Sequence, residues 1–433
     1  MPATITFSTM NNHYDPVMNE YCKVRPDYRK TRHSSLIIDR QRRGMRPVRS
    51  TQSLKHRPQS QPRKDFMHIL PYEIIFQIIS YLDIQTLCNL FTVSKAWYRI
   101  ARSNEAWKMQ FYNTFYVKSD FYDQSFDWQH IYKQHHILNT RWTRGQVVTH
   151  YLIGHLDSVY CLQFDKNKLI TGSRDRSIKL WDLNTYQCLH TLYGHDASVL
   201  CLKYDNRIMV SGSSDTTIIV WSMQTLQPIT RLYGHTAGVL DVCFDDRHIV
   251  SCSKDGTIRI WDIFTGQLLR TLLAHRGPVN AIQLVDDRLV SASGDGLIKM
   301  WDITTGECLR KYVGHTRGLA CVKFDGKRIV SGSNDKTIKV WDAETTQCLL
   351  TLEGHTDLVR TLCFDDSRII SASYDQSIRV WDIQTGACLL NFQSGHSSWI
   401  FDVQFDAMKI VSASQDQRIL IMDFTTGLDT NYF

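Results

Sequence analysis

A repeat of about forty residues constrains the fold of this chain more than any other feature of its sequence. Histidine recurs at positions 155, 195, 235, 275, 315, 355 and 396, with a step of 40 residues that once becomes 41. Tryptophan follows each histidine after 26 residues, except in the last repeat, where Met422 stands at that position. A fixed period of this length indicates a series of equivalent structural units, and seven of them occupy residues 155–427.

Each unit has the pattern of a small antiparallel sheet. Apolar and polar residues alternate in segments such as KLITGSRDRSIKLWD at residues 168–182, which is typical of several short strands separated by turns. The six junctions between repeats contain one more strand, whereas the last repeat lacks it and QVVTHYLIGH, at residues 146–155, precedes the first repeat. We expect this early strand to complete the last unit, so that a ring closes without an open sheet edge.

These repeats resemble the WD40 family, and the resemblance implies a seven-bladed β-propeller. Each repeat also carries a His, a Ser or Thr, an Asp and usually a Trp, for example His155, Ser173 and Asp175, and the first three residue types are those of a hydrolytic triad. Seven copies around a ring are what a fold needs and an active site does not. We interpret them as a buried hydrogen-bond network in each blade.

The bulk composition indicates an intracellular globular protein with a basic N-terminal segment. Residues 1–65 hold 14 Lys and Arg against 5 Asp and Glu, a local charge of +9, and residues 1–64 lack an apolar period, which predicts a disordered basic tail. We find neither a secretory signal nor an apolar run long enough to span a membrane. The twelve cysteines contain no CxxC pair, so reduced thiols and a cytoplasmic or nuclear location are expected.

Two positions vary strongly between repeats that are otherwise alike, and they predict where a ligand binds. The first column is the fifth residue after each histidine: Tyr160, Leu200, Leu240, Asn280, Ala320, Arg360 and Phe401. The second column is the residue before each turn aspartate: Arg174, Ser214, Lys254, Gly294, Asn334, Tyr374 and Gln415. In a WD40 propeller both columns would face one end of the central channel, where Arg174, Lys254, Arg360 and the nearby Arg317 make an electropositive mouth. That mouth suits a compact anion such as a phosphorylated peptide, unless these cations are solvated and bind nothing.

Residues 69–101 have a different pattern, which predicts short helices. After Pro71, one apolar helical stripe contains Ile74, Ile75, Ile78, Ile79 and Leu82. Asp83 and Ser94 stand where the N-caps of a second and a third helix are expected. About 45 residues cannot bury this much apolar surface alone, so the segment must bind a partner protein or pack on the repeats.

The segments LPYEIIFQIISYLD, VSKAWYRIA and EAW resemble the F-box. An F-box followed by WD40 repeats is similar to the substrate receptors of SCF-type (Skp-cullin-F-box) ubiquitin ligases, and the β-TrCP (Slimb) group resembles this chain most, through segments such as AWYRI, CSKDGTI and DLVRTLCFD. The resemblance implies a surface for a Skp-family adaptor formed by Leu70, Pro71, Ile74, Ile78, Leu82, Leu87, Leu90, Val93, Trp97 and Trp107. It also implies a site for a doubly phosphorylated, DSGxxS-like degron formed by Tyr160, Arg174, Ser198, Ser214, Lys254, Asn280, Arg317, Gly318, Ala320, Leu358, Arg360 and Tyr374.

The resemblance to the β-TrCP group has two departures. The segment before the F-box lacks the apolar heptads of that group's dimerisation region, so homodimerisation stays open. The blade-seven loop GHSSWIFDV carries bulky apolar residues.

The predicted fold class is α+β multidomain. It comprises a basic tail (1–64), an all-α F-box (65–110), a helical linker (111–146), an all-β seven-bladed WD40 propeller (147–427) and a C-terminal tail (428–433). The expected role is non-catalytic: the chain recruits phosphorylated substrates to a Skp adaptor and a cullin–RING complex for ubiquitination and proteasomal degradation. We expect no cofactor, metal, nucleic acid or membrane. The alternatives are a WD40 scaffold of the G-protein-β type and an F-box/WD40 receptor for a different degron.

Overall fold

The computed structural model describes residues 69–115, 126–393 and 395–433. The predicted basic tail, the first residues assigned to the F-box and part of the predicted linker lie outside these ranges. The chain divides into two compact units, Met1–His135 and His136–Phe433, and each is described by itself. Within the described ranges, no helix is both long enough and apolar enough to cross a membrane.

Three helices of the first unit begin where local sequence signals predict, directly after Pro71, Asp83 and Ser94. The helices of this unit are α1 (Tyr72–Ser80), α2 (Ile84–Asn89), α3 (Lys95–Ala101), α4 (Asn104–Phe115) and the first part of α5 (Trp128–Arg144), with a 3₁₀ turn at Leu90–Thr92. Both predicted caps are confirmed. The Asp83 carboxylate accepts a hydrogen bond from the Thr86 amide at 2.9 Å, and the Ser94 hydroxyl accepts one from the Trp97 amide at 3.3 Å.

The apolar stripe of α1 is divided between the core and the surface. Ile75 and Ile79 are buried, whereas Ile74 and Ile78 are 42% and 37% exposed. The side-chain amide of Gln110, on α4, donates to the Ile79 carbonyl at 3.1 Å, so α4 satisfies a backbone acceptor at the end of α1. The prediction of a single stripe was therefore too coarse, because one side of it faces α4 and the other side is exposed.

The second unit is a seven-bladed β-propeller, which confirms the fold predicted from the repeat. Its strands form seven antiparallel sheets of four strands each. Blades one to three contain β2 (Val159–Phe164), β3 (Lys168–Ser173), β4 (Ser177–Asp182), β5 (Cys188–Tyr193), β6 (Val199–Tyr204), β7 (Ile208–Ser213), β8 (Ile218–Ser222), β9 (Pro228–Leu232), β10 (Val239–Phe244), β11 (His248–Ser253), β12 (Ile258–Asp262) and β13 (Leu268–Leu272).

Blades four to six repeat the same order of strands. They contain β14 (Val279–Val285), β15 (Arg288–Ser293), β16 (Ile298–Asp302), β17 (Cys308–Tyr312), β18 (Leu319–Phe324), β19 (Arg328–Ser333), β20 (Ile338–Asp342), β21 (Cys348–Leu352), β22 (Val359–Phe364), β23 (Arg368–Ser373), β24 (Ile378–Asp382) and β25 (Cys388–Phe392). Blade seven contributes β26 (Ile400–Phe405), β27 (Lys409–Ser414) and β28 (Arg418–Asp423), and a 3₁₀ turn follows at Thr430–Tyr432.

The early strand closes the ring, as the sequence predicted. β1 (Val148–Ile153) pairs antiparallel with β28 over six positions, from Val148 opposite Asp423 to Ile153 opposite Arg418. Blade seven thereby gains its fourth strand, and the outer edge of β28 is paired. Leu152 of β1 is 2% exposed and belongs to the apolar core shared by blades seven and one.

The repeated polar residues form a buried network, shown here for blade three. His235 Nδ1 lies 2.9 Å from Asp255 Oδ2, His235 Nε2 lies 2.9 Å from Ser251 Oγ, and Trp261 Nε1 donates to the same hydroxyl at 2.9 Å. Because the carboxylate needs a donor, Nδ1 carries the proton and Nε2 accepts from Ser251. Burial lowers the pKa of His235. Burial opposes ionisation of Asp255 too, but hydrogen bonds from Thr257 and His235 outweigh it and lower the pKa of Asp255 to about 2.

One detail of the predicted network was wrong. In blade one, His155 Nε2 pairs with Thr171 Oγ1 at 2.8 Å, whereas Ser173 Oγ accepts from the Asp175 amide at 3.1 Å. The reason is the strand pleat, since residues two positions apart on β3 share a face and the earlier of them lies beside the histidine. The seven hydroxyl residues that pair with the repeat histidines are at most 1% exposed, so no substrate reaches these oxygens and the network is structural.

The C-terminal part of α5 packs on blade seven within the second unit. Trp142 stacks on Phe424 with ring centroids 3.8 Å apart, and its Nε1 donates to the Ala407 carbonyl at 2.8 Å. The Arg141 guanidinium donates to the carbonyl oxygens of Phe424 and Thr426 at 2.7 and 2.9 Å. These contacts fix the end of α5 immediately before the strand that closes the ring.

Candidate functional site

The turns of each blade bring variable positions together at one end of the propeller. The amide of each second-column residue donates to the carbonyl of the residue three places after the repeat histidine, as from Ser214 to Ser198 and from Tyr374 to Leu358, both at 3.0 Å. That partner position is a third column: Ser158, Ser198, Gly238, Pro278, Gly318, Leu358 and Trp399. The sequence prediction included three of its members without identifying the column.

Two cavities mark the channel at this end. All seven first-column residues line a cavity of about 80 Å³. A larger cavity of about 440 Å³ is lined by residues of all three columns on blades three to six, and its volume is within the range of ligand pockets. At its wall, a Cβ added to Gly318 would stand 2.8 Å from the Gly294 carbonyl oxygen, so the close approach of these two turns requires glycine at position 318.

The structure brings together some of the predicted degron-binding residues and distributes the others around them. The larger cavity is lined by Asn280, Gly318, Ala320, Leu358, Arg360 and Tyr374, and Tyr160 lines the smaller one. The other five residues lie on the surrounding turns and line neither cavity: Arg174, Ser198, Ser214, Lys254 and Arg317. Of those five, all but Ser198 are exposed.

The cations at the mouth are weakly engaged by the protein itself. Arg174 has a side chain that is 57% exposed, and its Nε lies 3.7 Å from the Asp157 carboxylate. Arg360 donates a long hydrogen bond, 3.3 Å, to a backbone carbonyl. Among the described residues, Lys254, Arg317 and Arg360 form no ion pair with a carboxylate. The mouth therefore presents positive charge that an external anion can neutralise.

Tyr160 adds a neutral donor to this positive surface. Burial raises the pKa of its hydroxyl above the usual value, while the nearby charges of Arg174 and Arg360 act in the opposite direction. The phenol consequently keeps its proton at neutral pH. A protonated phenol near two guanidinium groups can donate to the same anion as they do.

The helices of the first unit present an exposed apolar face. Its large side chains are 37–81% exposed: Ile69, Tyr72, Ile74, Ile78, Tyr81 and Val93. Of the predicted adaptor-binding residues, Pro71, Ile74, Ile78 and Val93 are exposed, Leu70, Leu82 and Leu90 are half-buried, and Leu87, Trp97 and Trp107 are buried. These last three are core residues of the helices, a distinction that the resemblance to the F-box, which compares sequence positions alone, does not make.

Comparisons with known families agree with both units. The model for the WD domain, G-beta repeat, matches residues 146–182, 186–222, 226–262, 266–302, 306–342 and 346–382, about half of the chain. The chain belongs to the WD40-repeat family. An F-box-like model matches residues 67–113. The structure supplies the seventh WD40 blade, whose repeat has Met422 where the other six have tryptophan.

Similar curated proteins are named as an SCF ubiquitin ligase subunit or as F-box/WD repeat-containing proteins. The chain is 31% identical to "Probable E3 ubiquitin ligase complex SCF subunit sconB" of Arthroderma otae over 28% of this chain and 23% of the relative. It is 35% identical to mouse "F-box/WD repeat-containing protein 2" over 30% of this chain and 31% of the relative. It is 31% identical to "F-box/WD repeat-containing protein pof1" of Schizosaccharomyces pombe over 29% of this chain and 33% of the relative. The matches thus span a third or less of the length of these relatives.

A solved structure also resembles this WD40 propeller. The computationally designed Ika8 protein has a TM-score of 0.54 and 33% sequence identity, over 63% of this chain and 98% of that one. The likeness supports the ring fold and carries no statement about a ligand.

The sequence prediction missed four charged residues inside the WD40 channel, Lys203, Lys323, Asp241 and Asp402. The carboxylates are held by backbone amides of the next blade, at 3.0 Å from Ile282 for Asp241 and 2.9 Å from Leu162 for Asp402. The charge of Lys323, together with burial, lowers the pKa of Lys203. The signal for the lysines is the eighth residue after each histidine, which reads Gln163, Lys203, Cys243, Gln283, Lys323, Cys363 and Gln404, whereas the two aspartates stand at the sixth residue after their histidines. Within the described ranges, no group of three or more His, Cys, Asp or Glu side chains could hold a metal ion.

Proposed function

We propose that this chain is the substrate-recognition subunit of an SCF-type E3 ubiquitin ligase. The observation that carries the proposal is the combination, in one chain, of F-box-like helices with an exposed apolar face and a WD40 mouth with weakly engaged cations beside a cavity of about 440 Å³. The chain would supply no catalytic group. It would act by holding a substrate close to the ligase, which raises the effective concentration of the substrate's lysines.

The exposed helical face is proposed to bind a Skp-family adaptor, which in turn binds a cullin–RING complex. Ile74, Ile78 and Val93 offer apolar area that would leave water on binding. In co-purification of the full chain, Ile78→Glu and Val93→Glu are expected to abolish recovery of a Skp-type protein and a cullin. Gln77→Glu, which adds the same charge at an exposed position of α1, is the control and should recover both. Recovery with all three variants would contradict the adaptor proposal.

The mouth is proposed to bind a phosphorylated degron. Each phosphate carries a charge of about −1.5 to −2, and each charge-assisted hydrogen bond contributes about 1.5–3 kcal/mol. Arg360→Ala or Arg174→Ala should therefore weaken binding of a doubly phosphorylated DSGxxS peptide roughly 10- to 150-fold, and salt should weaken the wild-type complex. Arg247→Ala is the control, since Arg247 is an exposed arginine in the β10–β11 turn at the other end of the blade. Equal affinity for the unphosphorylated peptide would refute the proposal.

The identity of the degron is the finer part of the proposal. A β-TrCP-like receptor would prefer the DSGxxS spacing, and the sequence segments quoted above support that assignment. The composition of blade seven favours the second candidate, a receptor for a different degron, because its mouth positions carry the bulky apolar groups of Trp399 and Phe401. A panel of phosphopeptides with different spacings distinguishes the two. We place the protein in the cytoplasm or nucleus, which the free thiols of all eleven described cysteines support.

A further inference from the structure

Blade seven differs from the other blades in carrying two aromatic residues, Trp399 and Phe401, at its mouth positions. Trp399 is 45% exposed and stacks on Tyr374 of blade six, with ring centroids 4.6 Å apart and planes within 6°. Phe401 lies 4.8 Å from Tyr160 of blade one and 5.9 Å from Tyr374, centroid to centroid. The four rings, of which Phe401 is only 8% exposed, form a continuous chain of ring contacts across three blades, here called the aromatic wall.

The aromatic wall is contiguous with the cavities at the mouth. Tyr374 lines the larger cavity and Phe401 the smaller one. Blade seven lies between blade one, which carries Arg174, and blade six, which carries Arg360. A peptide that reaches from one arginine to the other along this side of the ring must therefore pass over the wall.

The wall is suited to an aromatic side chain and not to a second anion. Phe401 occupies the first-column position at which Arg360 stands in the neighbouring blade, so blade seven has no cation there. The stack with Tyr374 holds the Trp399 ring in place while almost half of its surface stays in water. The wall consists largely of Trp and Tyr in a mouth that also carries arginines, and these are the residue types enriched in binding hot spots.

We propose that the aromatic wall is a specificity subsite that takes an aromatic side chain of the ligand peptide, close in sequence to the phosphorylated residue. This inference rests on the proposed phosphodegron function and narrows it. The preferred ligands combine a phosphate for the arginines with a Trp, Phe or Tyr for the wall. An aromatic pair of this kind strengthens binding by about 3- to 10-fold.

The test is a positional series of fluorescent peptides bound to the full chain and measured by anisotropy. Each residue that flanks or separates the phosphoserines of a doubly phosphorylated peptide is replaced in turn by Trp or by Ala. At one position, the Trp peptide should bind about 3- to 10-fold tighter than the Ala peptide. Trp399→Ala should remove that preference while phosphate dependence remains, and Trp399→Phe should keep part of it. Leu273→Ala, at a position 87% exposed outside the three columns, should behave like the wild type.

The outcomes separate this inference from the proposed function. If phosphopeptides bind with no preference for Trp at any position, or if Trp399→Ala weakens Trp and Ala peptides equally, the wall is not a subsite and the phosphodegron proposal stands. If Trp peptides bind equally well without phosphate and lose affinity in Trp399→Ala, the wall is a subsite and the phosphodegron proposal fails. If neither the phosphorylated nor the unphosphorylated peptides bind, both the subsite proposal and the phosphodegron proposal are overturned.

Discussion

The buried network allows an internal comparison between a complete blade and an incomplete one. In blade six, Ser371 Oγ accepts from Trp381 Nε1 at 2.8 Å and pairs with His355 Nε2 at 2.8 Å. In blade seven, Ser412 pairs with the repeat histidine at 2.8 Å, but Met422 replaces the tryptophan. Ser→Ala therefore leaves two buried polar groups without a partner in blade six and one in blade seven.

The magnitudes follow from this count. An unsatisfied buried polar group costs about 1–3 kcal/mol, and Ser→Ala removes too little volume to add a large cavity. We expect Ser371→Ala to lower the free energy of unfolding by about 2–6 kcal/mol and Ser412→Ala by about 1–3 kcal/mol. Both residues are at most 1% exposed, so water does not replace the lost hydroxyl.

Urea denaturation followed by tryptophan fluorescence and by circular dichroism measures both losses. A double-mutant cycle sharpens the test, because Trp381→Phe removes the indole donor in advance. In that background Ser371→Ala should cost about as much as Ser412→Ala does in the wild type. Equal losses in the two blades, or no coupling between Ser371 and Trp381, would refute the account of the network.

Three further predictions concern the propeller. Leu152→Ala should lower the free energy of unfolding by about 2–5 kcal/mol in urea denaturation, because Leu152 is 2% exposed on the strand that closes the ring. Ile153→Ala, at 71% exposure, should change that free energy by less than about 0.5 kcal/mol. Similar losses for the two variants would contradict the closure of the ring by β1. Because burial lowers the pKa of His235, the unfolded chain takes up protons before the folded chain does as the pH falls below about 6.5. Urea midpoints should therefore decline from pH 7 to 5, and decline again below pH 4 as the paired aspartates protonate. A midpoint that rises between pH 7 and 5 would contradict this prediction. Lys203→Met should raise the urea midpoint at pH 7.5, because the charge of the second channel lysine lowers the pKa of Lys203 in the folded chain. The increase should become smaller as the pH approaches 10.5. A midpoint lower than that of the wild type at pH 7.5 would contradict the prediction that the charge of Lys203 destabilises the fold.

Most of the architecture could be predicted because it depends on residues that recur. The 40-residue period gives the number of blades, the place of the missing strand gives the seam, and Asp83 and Ser94 cap helices within four residues of themselves. The network serine of blade one was misplaced by two residues. A spacing in sequence cannot distinguish Thr171 from Ser173, since both point to the same face of the strand.

Features that depend on contacts between distant parts of the chain could not be predicted from the sequence. The stack of Trp399 on Tyr374 joins residues 25 positions apart that no periodic pattern connects. The division of the α1 stripe likewise depends on distant parts of the chain, because α4, whose Gln110 side chain donates to the Ile79 carbonyl, covers one side of that helix. The first column could be predicted from variation between the repeats alone, and the structure places all seven of its residues around one cavity.

The geometry of the network also explains why the function must be sought among the residues that vary. Each blade contains a hydroxyl, an imidazole and a carboxylate at the distances of a hydrolase triad, 2.9 Å and 2.9 Å in blade three. The hydroxyl of Ser251 already accepts from an indole and is fully buried, so the same three groups that catalyse elsewhere hold a sheet together here. Accessibility separates the two uses, and the accessible groups of this ring are the cations and aromatic rings at positions that vary from blade to blade.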